Sequence, residues 1–202
     1  MALLFANNNS LSAITSAPSG VGGGSMNLIS TQTASSSSTI SFTSGIDSTY
    51  DEYVFKLYNI HPSSDSDVQL QFNGSADTGS NYNVTKTTTH FSAYHYESNL
   101  TASLGYNTSY DIAQGTGFQT LSTNIGGDND QCGSGYIHLF APSSTTFAKH
   151  FISNVSFVQS DDVARIDYVA GYFNTTSAVD AMQFKFSSGN IDSGVIKLYG
   201  IS

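Results

Sequence analysis

The sequence predicts an all-β protein, an antiparallel and jelly-roll-like β-sandwich that carries an extended N-terminal arm. Two observations predict the sandwich: many short segments alternate apolar with polar residues, and clusters of Ser, Asn, Asp and Gly separate these segments. The third observation is that no stretch repeats its apolar residues with the 3.6-residue period of a helix. The chain of 202 residues is long enough to bury one sizeable core, so we expect a single domain over residues 26–202.

Residues 1–25 differ from the rest and are expected to form an arm with a glycine-rich joint at 20–24. Such joints let a segment leave its own domain. A tail that meets only water needs no apolar side chains, so their presence favours an arm that docks on a neighbouring subunit. A frayed terminus is the alternative. The predicted docking residues are Leu3, Leu4, Phe5, Leu11 and Ile14.

Strands with one buried face are predicted along the domain from the two-residue alternation of apolar and polar side chains. In the stretch 67–73, for example, Val68, Leu70 and Phe72 alternate with glutamine and asparagine. The predicted strand segments are 38–43, 67–73, 82–96, 135–142, 147–158, 165–174 and 180–187.

One phrase of the sequence occurs twice. The stretch 40–60 aligns with 184–201, and in both a strand, a turn containing Ser-Gly and a second strand follow one another. Val-Phe-Lys-Leu-Tyr at 54–58 corresponds to Val-Ile-Lys-Leu-Tyr at 195–199. We expect each copy to be a β-hairpin and the two copies to hold matching, adjacent positions in the sandwich. Duplication of half the domain and a chance echo of β-favouring residues are the alternatives.

The second strand of the first copy is apolar on both of its faces. Phe55 and Leu57 are expected to point to one side, and Val54, Tyr58 and Ile60 to the other. A sandwich strand buries only one face against the opposite sheet. A long loop, the N-terminal segment or another subunit must therefore cover the second face, and self-association fits this pattern.

Composition limits the partners that the protein is expected to have. Charged residues make up 10% of the chain, the net charge is -9, and the six basic residues are scattered singly. Nucleic-acid binding is not expected because phosphates require clustered Lys and Arg, and an anionic membrane surface is disfavoured for the same reason. The sequence also predicts no membrane insertion and no signal peptide. Cys132 is the one cysteine, so no intrachain disulfide is expected.

The sequence shows no pattern of catalytic or cofactor-binding residues, and we expect neither an enzyme nor a bound cofactor. The five histidines lack the spacing of zinc ligands, and His90 and His95 are expected on opposite faces of one strand. The Gly-x-Ser-x-Gly motif of serine hydrolases is absent from the sequence, and Cys132 has no cationic neighbour to activate its thiol. A glycosidase-type Asp pair stays open, although most Asp residues lie in Ser- and Gly-rich turns.

The acidic loop at 126–131 is the one candidate metal site. Asp128 and Asp130 lie there among flexible glycines, and such oxygen-rich loops can hold calcium. A complete calcium site takes about six to eight oxygen ligands, and the loop lacks the spacing of an EF-hand. Asp128 and Asp130 are therefore weak candidates, and a solvated turn is favoured.

Three stretches carry a resemblance to virion structural proteins of tailed bacteriophages, notably marine phages such as cyanophages. They are "NLISTQTASSSSTISFTSGIDSTYDEYVFKLYNIHPS", "GTGFQTLSTNIGGDNDQCGSGYIHLFAPSSTTFAKHFIS" and "VAGYFNTTSAVDAMQFKFSSGNIDSGVIKLYGI". The resemblance implies an all-β, jelly-roll-like virion subunit that is made in the host cytoplasm. The polar, hydroxyl-rich composition suits a place on the outer surface of the particle. It also implies other virion proteins as partners and a homo-oligomer, with a trimer favoured. It supplies no catalytic residue.

We therefore expect a non-enzymatic virion structural protein, used as a capsid decoration or as a tail or fibre component. A carbohydrate-binding tail module is the alternative, because the 12 tyrosines could stack on the sugars of a host-surface glycan. A polysaccharide depolymerase is a third possibility, which the short chain and the missing acid pair disfavour.

Overall fold

The protein is described by a computed structural model that covers residues 26–64 and 68–202. These residues form an all-β fold of twelve strands and no helix. The strands lie in two antiparallel sheets that form a sandwich, as the sequence predicts. The predicted docking residues of the arm, Leu3, Leu4, Phe5, Leu11 and Ile14, lie outside the described residues.

Seven of the strands match the seven segments predicted from alternation to within a few residues at each end. The strands are β1 (Met26–Ser37), β2 (Ile40–Phe42), β3 (Glu52–Pro62), β4 (Leu70–Ser75), β5 (Lys86–Tyr96), β6 (Ala102–Tyr106), β7 (Gln119–Ser122), β8 (Gly133–Phe140), β9 (Lys149–Gln159), β10 (Val163–Phe173), β11 (Ala181–Phe186) and β12 (Ile191–Ile201). The second strands of the two repeat copies are β3 and β12, whereas β1, β6 and β7 were not predicted.

The larger sheet has eight strands in the order β1-β12-β3-β8-β9-β10-β5-β6, and the smaller sheet has four in the order β2-β11-β4-β7. Strands β1 to β4 are hydrogen-bonded to β12, β11, β8 and β7 respectively. Two hairpins, β9–β10 and β5–β6, lengthen the larger sheet beyond β8. We call these four strands the extension.

The core lies between the two sheets and is built on phenylalanine rings. Phe42 and Phe184 of the smaller sheet contact Phe55 of the larger, with ring centroids 5.3 and 5.5 Å apart. Phe72 similarly meets Phe151 edge to face at 5.1 Å. These rings are all buried, and each contributes roughly 1.5–3 kcal/mol of apolar transfer energy. Alternation along each strand therefore places one face of each sheet in a shared core.

The two repeat copies are not hairpins, and that prediction is wrong. In each copy the first strand lies in the smaller sheet and the second in the larger, so the chain arches across the core. The reason is burial: Phe42 and Phe55 of the first copy face each other, which a flat hairpin would prevent. Gly45 and Gly189, at matching positions, take the positive φ values of 82° and 72° in the two arches.

The prediction that the two copies hold matching, adjacent positions is confirmed. Strand β2 is hydrogen-bonded to β11, and β3 to β12. Lys56 and Lys197, which occupy equivalent places in the repeat, lie directly opposite each other. Each ammonium lies near the ring of a tyrosine on the other strand, Lys56 5.7 Å from Tyr199 and Lys197 5.6 Å from Tyr58. The register thus gives the two copies a local pseudo-twofold relation.

The predicted second apolar face of β3 is only partly correct. Val54 is buried outside the main core cluster, opposite His138 and Tyr199 on the neighbouring strands, and Tyr58 is exposed. Ile60, in contrast, belongs to the core cluster. The register shifts between Leu57 and Ile60, and this bulge turns the Ile60 side chain to the inner face. Of these three residues, therefore, only Val54 is buried outside the core cluster, between its partners on the two neighbouring strands.

Candidate functional site

The extension carries an aromatic ridge on its outer face. Phe91 of β5 and Tyr168 of β10 are register partners whose rings stack 4.9 Å apart with planes 11° from parallel. Tyr106 of β6 is the partner of Phe91, and its hydroxyl donates a hydrogen bond to Asp111 at 2.7 Å. Phe91 is 41% exposed and Tyr106 55%. The ridge, Phe91 with Tyr106 and Tyr168, therefore offers aromatic surface to a partner.

Two shallow grooves lie on either side of the ridge, with volumes of about 500 and 390 Å³. Their walls combine hydroxyl and imidazole groups with short apolar side chains. The first groove is lined by Thr87, Thr89, His150, Ile152 and Tyr172, and the second by Ala93, His95, Ser156 and Ile166. Hydrogen-bonding groups thus lie beside stacking surface.

Large apolar side chains continue along the outer face beyond the ridge. Leu104 is 71% exposed and Ile152 51%. Tyr136, on β8, is also exposed and lies opposite Asn154 in the register. Contiguous exposed apolar surface is uncommon on soluble monomers and marks places where something binds. The outer face is therefore a candidate interaction surface.

The inner face of the extension is polar where the smaller sheet does not cover it. The segment 107–118 runs beneath β5 instead, with the Asn107 amide donating to the His90 carbonyl at 2.8 Å. The Thr88 hydroxyl accepts from the Ile112 amide at 2.8 Å and donates to Gln119 Oε1 at 2.6 Å. A loop that lacks a regular ladder is thereby held by side-chain hydrogen bonds.

An ion pair lies in this polar region. Arg165 Nε donates to Asp167 Oδ1 at 2.8 Å, and the carboxylate is fully buried. The second carboxylate oxygen accepts two hydrogen bonds from Thr123, from its amide at 2.9 Å and its hydroxyl at 3.0 Å. Arg165 Nη2 donates to Ser92 at 3.1 Å and Nη1 to Gln159 at 3.4 Å. Burying charges is costly unless they are paired in this way.

His90 lies next to this pair and is fully buried. Its Nε2 is 3.6 Å from Asp167, and its ring is 5.4 Å from that of Tyr110. Neither ring nitrogen has a hydrogen-bond partner in the part of the chain that the structure describes. Burial lowers the pKa of His90; Asp167 opposes the shift and Arg165 adds to it. The imidazole is therefore neutral at neutral pH. His95, on the opposite face of β5, is exposed, as the sequence predicts.

Above the ion pair lies a polar cavity of about 320 Å³. Four of its seven lining residues carry amide side chains, and the other three are Tyr110, Thr123 and Arg165. The amides are Gln69, Asn107, Asn124 and Gln159. The cavity and the aromatic ridge lie on opposite faces of the same extension, since Arg165 and Tyr168 point to opposite sides of β10.

The candidate metal ligands are not brought together with others. Asp128 and Asp130 are exposed, and the Asp128 carbonyl accepts the Gln131 amide at 2.9 Å to close the turn. Within residues 26–64 and 68–202, no group of three His, Cys, Asp or Glu side chains is placed to hold a metal ion. Cys132 is a free thiol, half-buried beside Asn59. The same described residues include no helix with the length and apolarity of a membrane span.

Sequence reasoning missed the residues of the polar cavity. Arg165 and Asp167 are two positions apart on the inner face of β10, where alternation calls for apolar side chains. That break in the pattern is the signal that could have marked the site. Asn124 and Gln159 gave no signal, because only the fold brings them beside β10.

Comparison with models of protein families, with curated proteins and with solved structures finds no significant match to this chain.

Proposed function

We propose that the protein is a non-enzymatic structural subunit of a tailed-bacteriophage virion, displayed on the particle as a capsid decoration or as a tail or fibre component. The observation that carries the proposal is the strand order. Strands β1 to β4 run alongside β12, β11, β8 and β7 like one long hairpin rolled into two sheets. This order supports a jelly roll, a fold used by viral capsid and lectin domains.

The outer face of the larger sheet supports a repeated subunit. Fold alone does not give function, so the surface must supply the argument. Leu104, Ile152 and the ridge leave apolar area exposed in a chain with few charged residues. A neighbouring copy or another virion protein that covers this face would remove that area from water, at about 25 cal/mol per Å².

The test uses one substitution on the outer face and one matched control. Ile152→Lys adds a charge to the exposed face, whereas Phe147→Lys adds one to an exposed loop site, 73% accessible, between β8 and β9. We expect the wild type and Phe147→Lys to form the same oligomer in sedimentation velocity and to enter particles, and Ile152→Lys to do neither. A wild-type chain that stays monomeric and does not enter particles contradicts the proposal.

Glycan binding is the second candidate function, and the aromatic ridge favours it. Stacked, exposed rings beside mainly apolar grooves that also carry hydroxyl and imidazole groups suit sugar rings, which present apolar faces and polar edges. A host-glycan array probed with the wild type and with Phe91→Ala tests this function. Binding that Phe91→Ala abolishes and Phe147→Ala retains supports it, and an array on which the wild type binds nothing rejects it.

A further inference from the structure

The polar cavity is rich in unused hydrogen-bond donors. Gln69 Oε1 accepts from Thr120 at 3.4 Å, Asn124 Oδ1 from Ser160 at 3.3 Å, and Gln159 Oε1 from Arg165 at 3.4 Å. Each amide oxygen is therefore engaged by the protein. No acceptor among the described residues takes up the –NH₂ groups of these three side chains, which leaves them for a ligand. A cavity that offers mainly donors selects a ligand that is rich in acceptors.

Arg165 adds a directional cation to these donors. Asp167 accepts a hydrogen bond from Arg165 only at Nε, because its second carboxylate oxygen accepts from Thr123. Ser92 accepts one bond from Nη2, and Gln159 accepts one from Nη1. A guanidinium has five N–H groups, so one on each Nη nitrogen is left. A carboxylate can accept one charge-assisted hydrogen bond from each of these two nitrogens.

The volume of the cavity and its aromatic wall indicate what the ligand contains besides a carboxylate. Its volume of about 320 Å³ exceeds what a bare carboxylate needs, and it sits beside Tyr110, whose ring is an apolar surface. Amide donors and one aromatic wall are groups that hold the hydroxyls and the face of a sugar ring.

We propose that this cavity binds a sugar acid, a single hexuronate-type ring whose carboxylate pairs with the Nη edge of Arg165. Asn124 and Gln159 donate to its hydroxyl oxygens, and Tyr110 lies along its face. The buried Asp167 acts as a positioning residue that fixes Arg165 through Nε. The site is separate from the aromatic ridge, so its failure leaves both the virion proposal and glycan binding at the ridge intact.

Three probes and calorimetric titration of the full chain test the proposal. Glucuronate carries ring and carboxylate, glucose carries the ring alone, and acetate the carboxylate alone. We expect glucuronate to bind at least tenfold more tightly than either. Equal binding of glucose overturns the role of Arg165, equal binding of acetate means an adventitious ion only, and no binding of glucuronate overturns the site.

Two variants locate the binding. Gln159→Leu removes one donor from the wall, together with the 3.4 Å bond that Gln159 accepts from Arg165 Nη1, but keeps the Nε bond of Arg165 to Asp167. It is expected to weaken glucuronate binding at least fivefold. Arg165→Lys keeps the positive charge but loses the two Nη donors of the guanidinium. It is expected to abolish the preference for glucuronate over glucose. Gln183→Leu, on the smaller sheet beside Ser41, is the matched control and should bind like the wild type. Unchanged binding by Gln159→Leu contradicts the proposed site, even if Arg165→Lys fails to fold.

Discussion

At the scale of single residues, the fold buries polar groups that the sequence gives no reason to bury. Lys86 and Lys149 are both fully buried and flank Phe173 in the register of β5, β10 and β9. Each ammonium donates to one backbone carbonyl, Lys86 to Gly117 at 2.5 Å and Lys149 to Thr175 at 2.9 Å. These bonds tie two loops to the sheet ends and lower the cost of burying the charges.

Lys86→Met is expected to stabilise the protein at pH 7. Burial lowers the pKa of Lys86 from 10.5 to about 8, which corresponds to roughly 3 kcal/mol at neutral pH. Because the substitution also loses the bond to Gly117, we expect a gain of about 1–3 kcal/mol in the free energy of unfolding, measured by urea denaturation.

The pH dependence separates this effect from simple repacking. The folded-state pKa of Lys86 is lowered, so the wild type gains stability as the pH rises from about 8 to 10.5. The advantage of Lys86→Met should therefore be largest below pH 8 and vanish near 10.5. Lys185→Met, at a partly exposed site, should change stability by no more than about 1 kcal/mol. An advantage of Lys86→Met that is equal at all pH values contradicts this account.

His90 is expected to make the protein less stable in mild acid. Burial lowers the pKa of His90 in the folded state. The stability that the neutral imidazole contributes is therefore complete above about pH 6.5 and is lost as the pH falls toward the pKa of the folded state. One titrating group can change the unfolding free energy by at most about 1.4 kcal/mol per pH unit. We expect His90→Leu to flatten the fall in unfolding free energy between pH 7.5 and 5, as measured by denaturation.

His95 provides the control on the same strand. It lies on the exposed face of β5, so His95→Leu should keep the wild-type slope. Repacking around the introduced leucine can change the unfolding free energy by a constant amount. Such a constant does not affect the slope of the unfolding free energy against pH, which is the quantity compared. A slope for His90→Leu as steep as that of the wild type would show that other groups cause the loss in acid.

At the scale of the elements, strands with a clear apolar alternation were predicted correctly and the others were not. Strand β1 is rich in Ser and Thr and buries only Ala34, so its sequence carries no alternating signal. Strand β7 is four residues long and buried on both faces, and β6 is exposed throughout. Neither pattern has the period of two on which the prediction depends.

The error over the repeat has a different physical cause. A strand, a turn and a strand in sequence are compatible with a hairpin in one sheet and with an arch between two sheets. The choice depends on which partners the strands find, here β11 for β2 and β12 for β3, and these partners are far apart in the chain. The polar cavity could not be predicted for the same reason, because Asn124 and Arg165 meet only through the long-range register.

Gly135→Ala is expected to weaken the junction between β8 and β9. A Cβ at this position would collide with the Asn154 carbonyl and lie 2.7 Å from the Cα of Val155, so the backbones must separate. We expect a loss of about 2–3 kcal/mol in unfolding free energy by urea denaturation. Gly105→Ala is the control, since its Cβ would meet nothing within 4 Å. Equal effects of the two substitutions would refute the close strand approach at Gly135.

At the scale of the whole molecule, a rolled pair of sheets carries an extension with two different faces. The outer face offers the aromatic ridge and apolar area, and the inner face encloses the polar cavity. Hairpins β5–β6 and β9–β10 supply the ridge and, through Gln159 and Arg165, one wall of the cavity, without altering the pairing of β1 to β4 with β12, β11, β8 and β7. We therefore expect the function to reside in the surfaces that the extension adds to the sandwich.

Deletion of residues 1–20 is expected to leave the melting temperature nearly unchanged and to reduce incorporation into particles. Leu3, Leu4 and Phe5 would each gain roughly 1.5–3 kcal/mol on burial, while ordering the arm costs about 1–2 kcal/mol per residue. Over residues 1–20 the ordering cost exceeds the gain from these three side chains, so the arm should become ordered only where a neighbour adds further contacts. Unfolding of the truncated chain would place the arm in the core, and normal occupancy in particles would refute docking.

Quantitative mass spectrometry of purified particles tests whether the chain is a repeated virion subunit. Particles would be collected from a culture that makes the chain, purified on density gradients and washed at high salt. We predict that the chain keeps a constant ratio, of several copies per particle, to the major structural proteins through every step. Its absence from the particles, or a ratio that falls with each wash to below a single copy, would contradict the account.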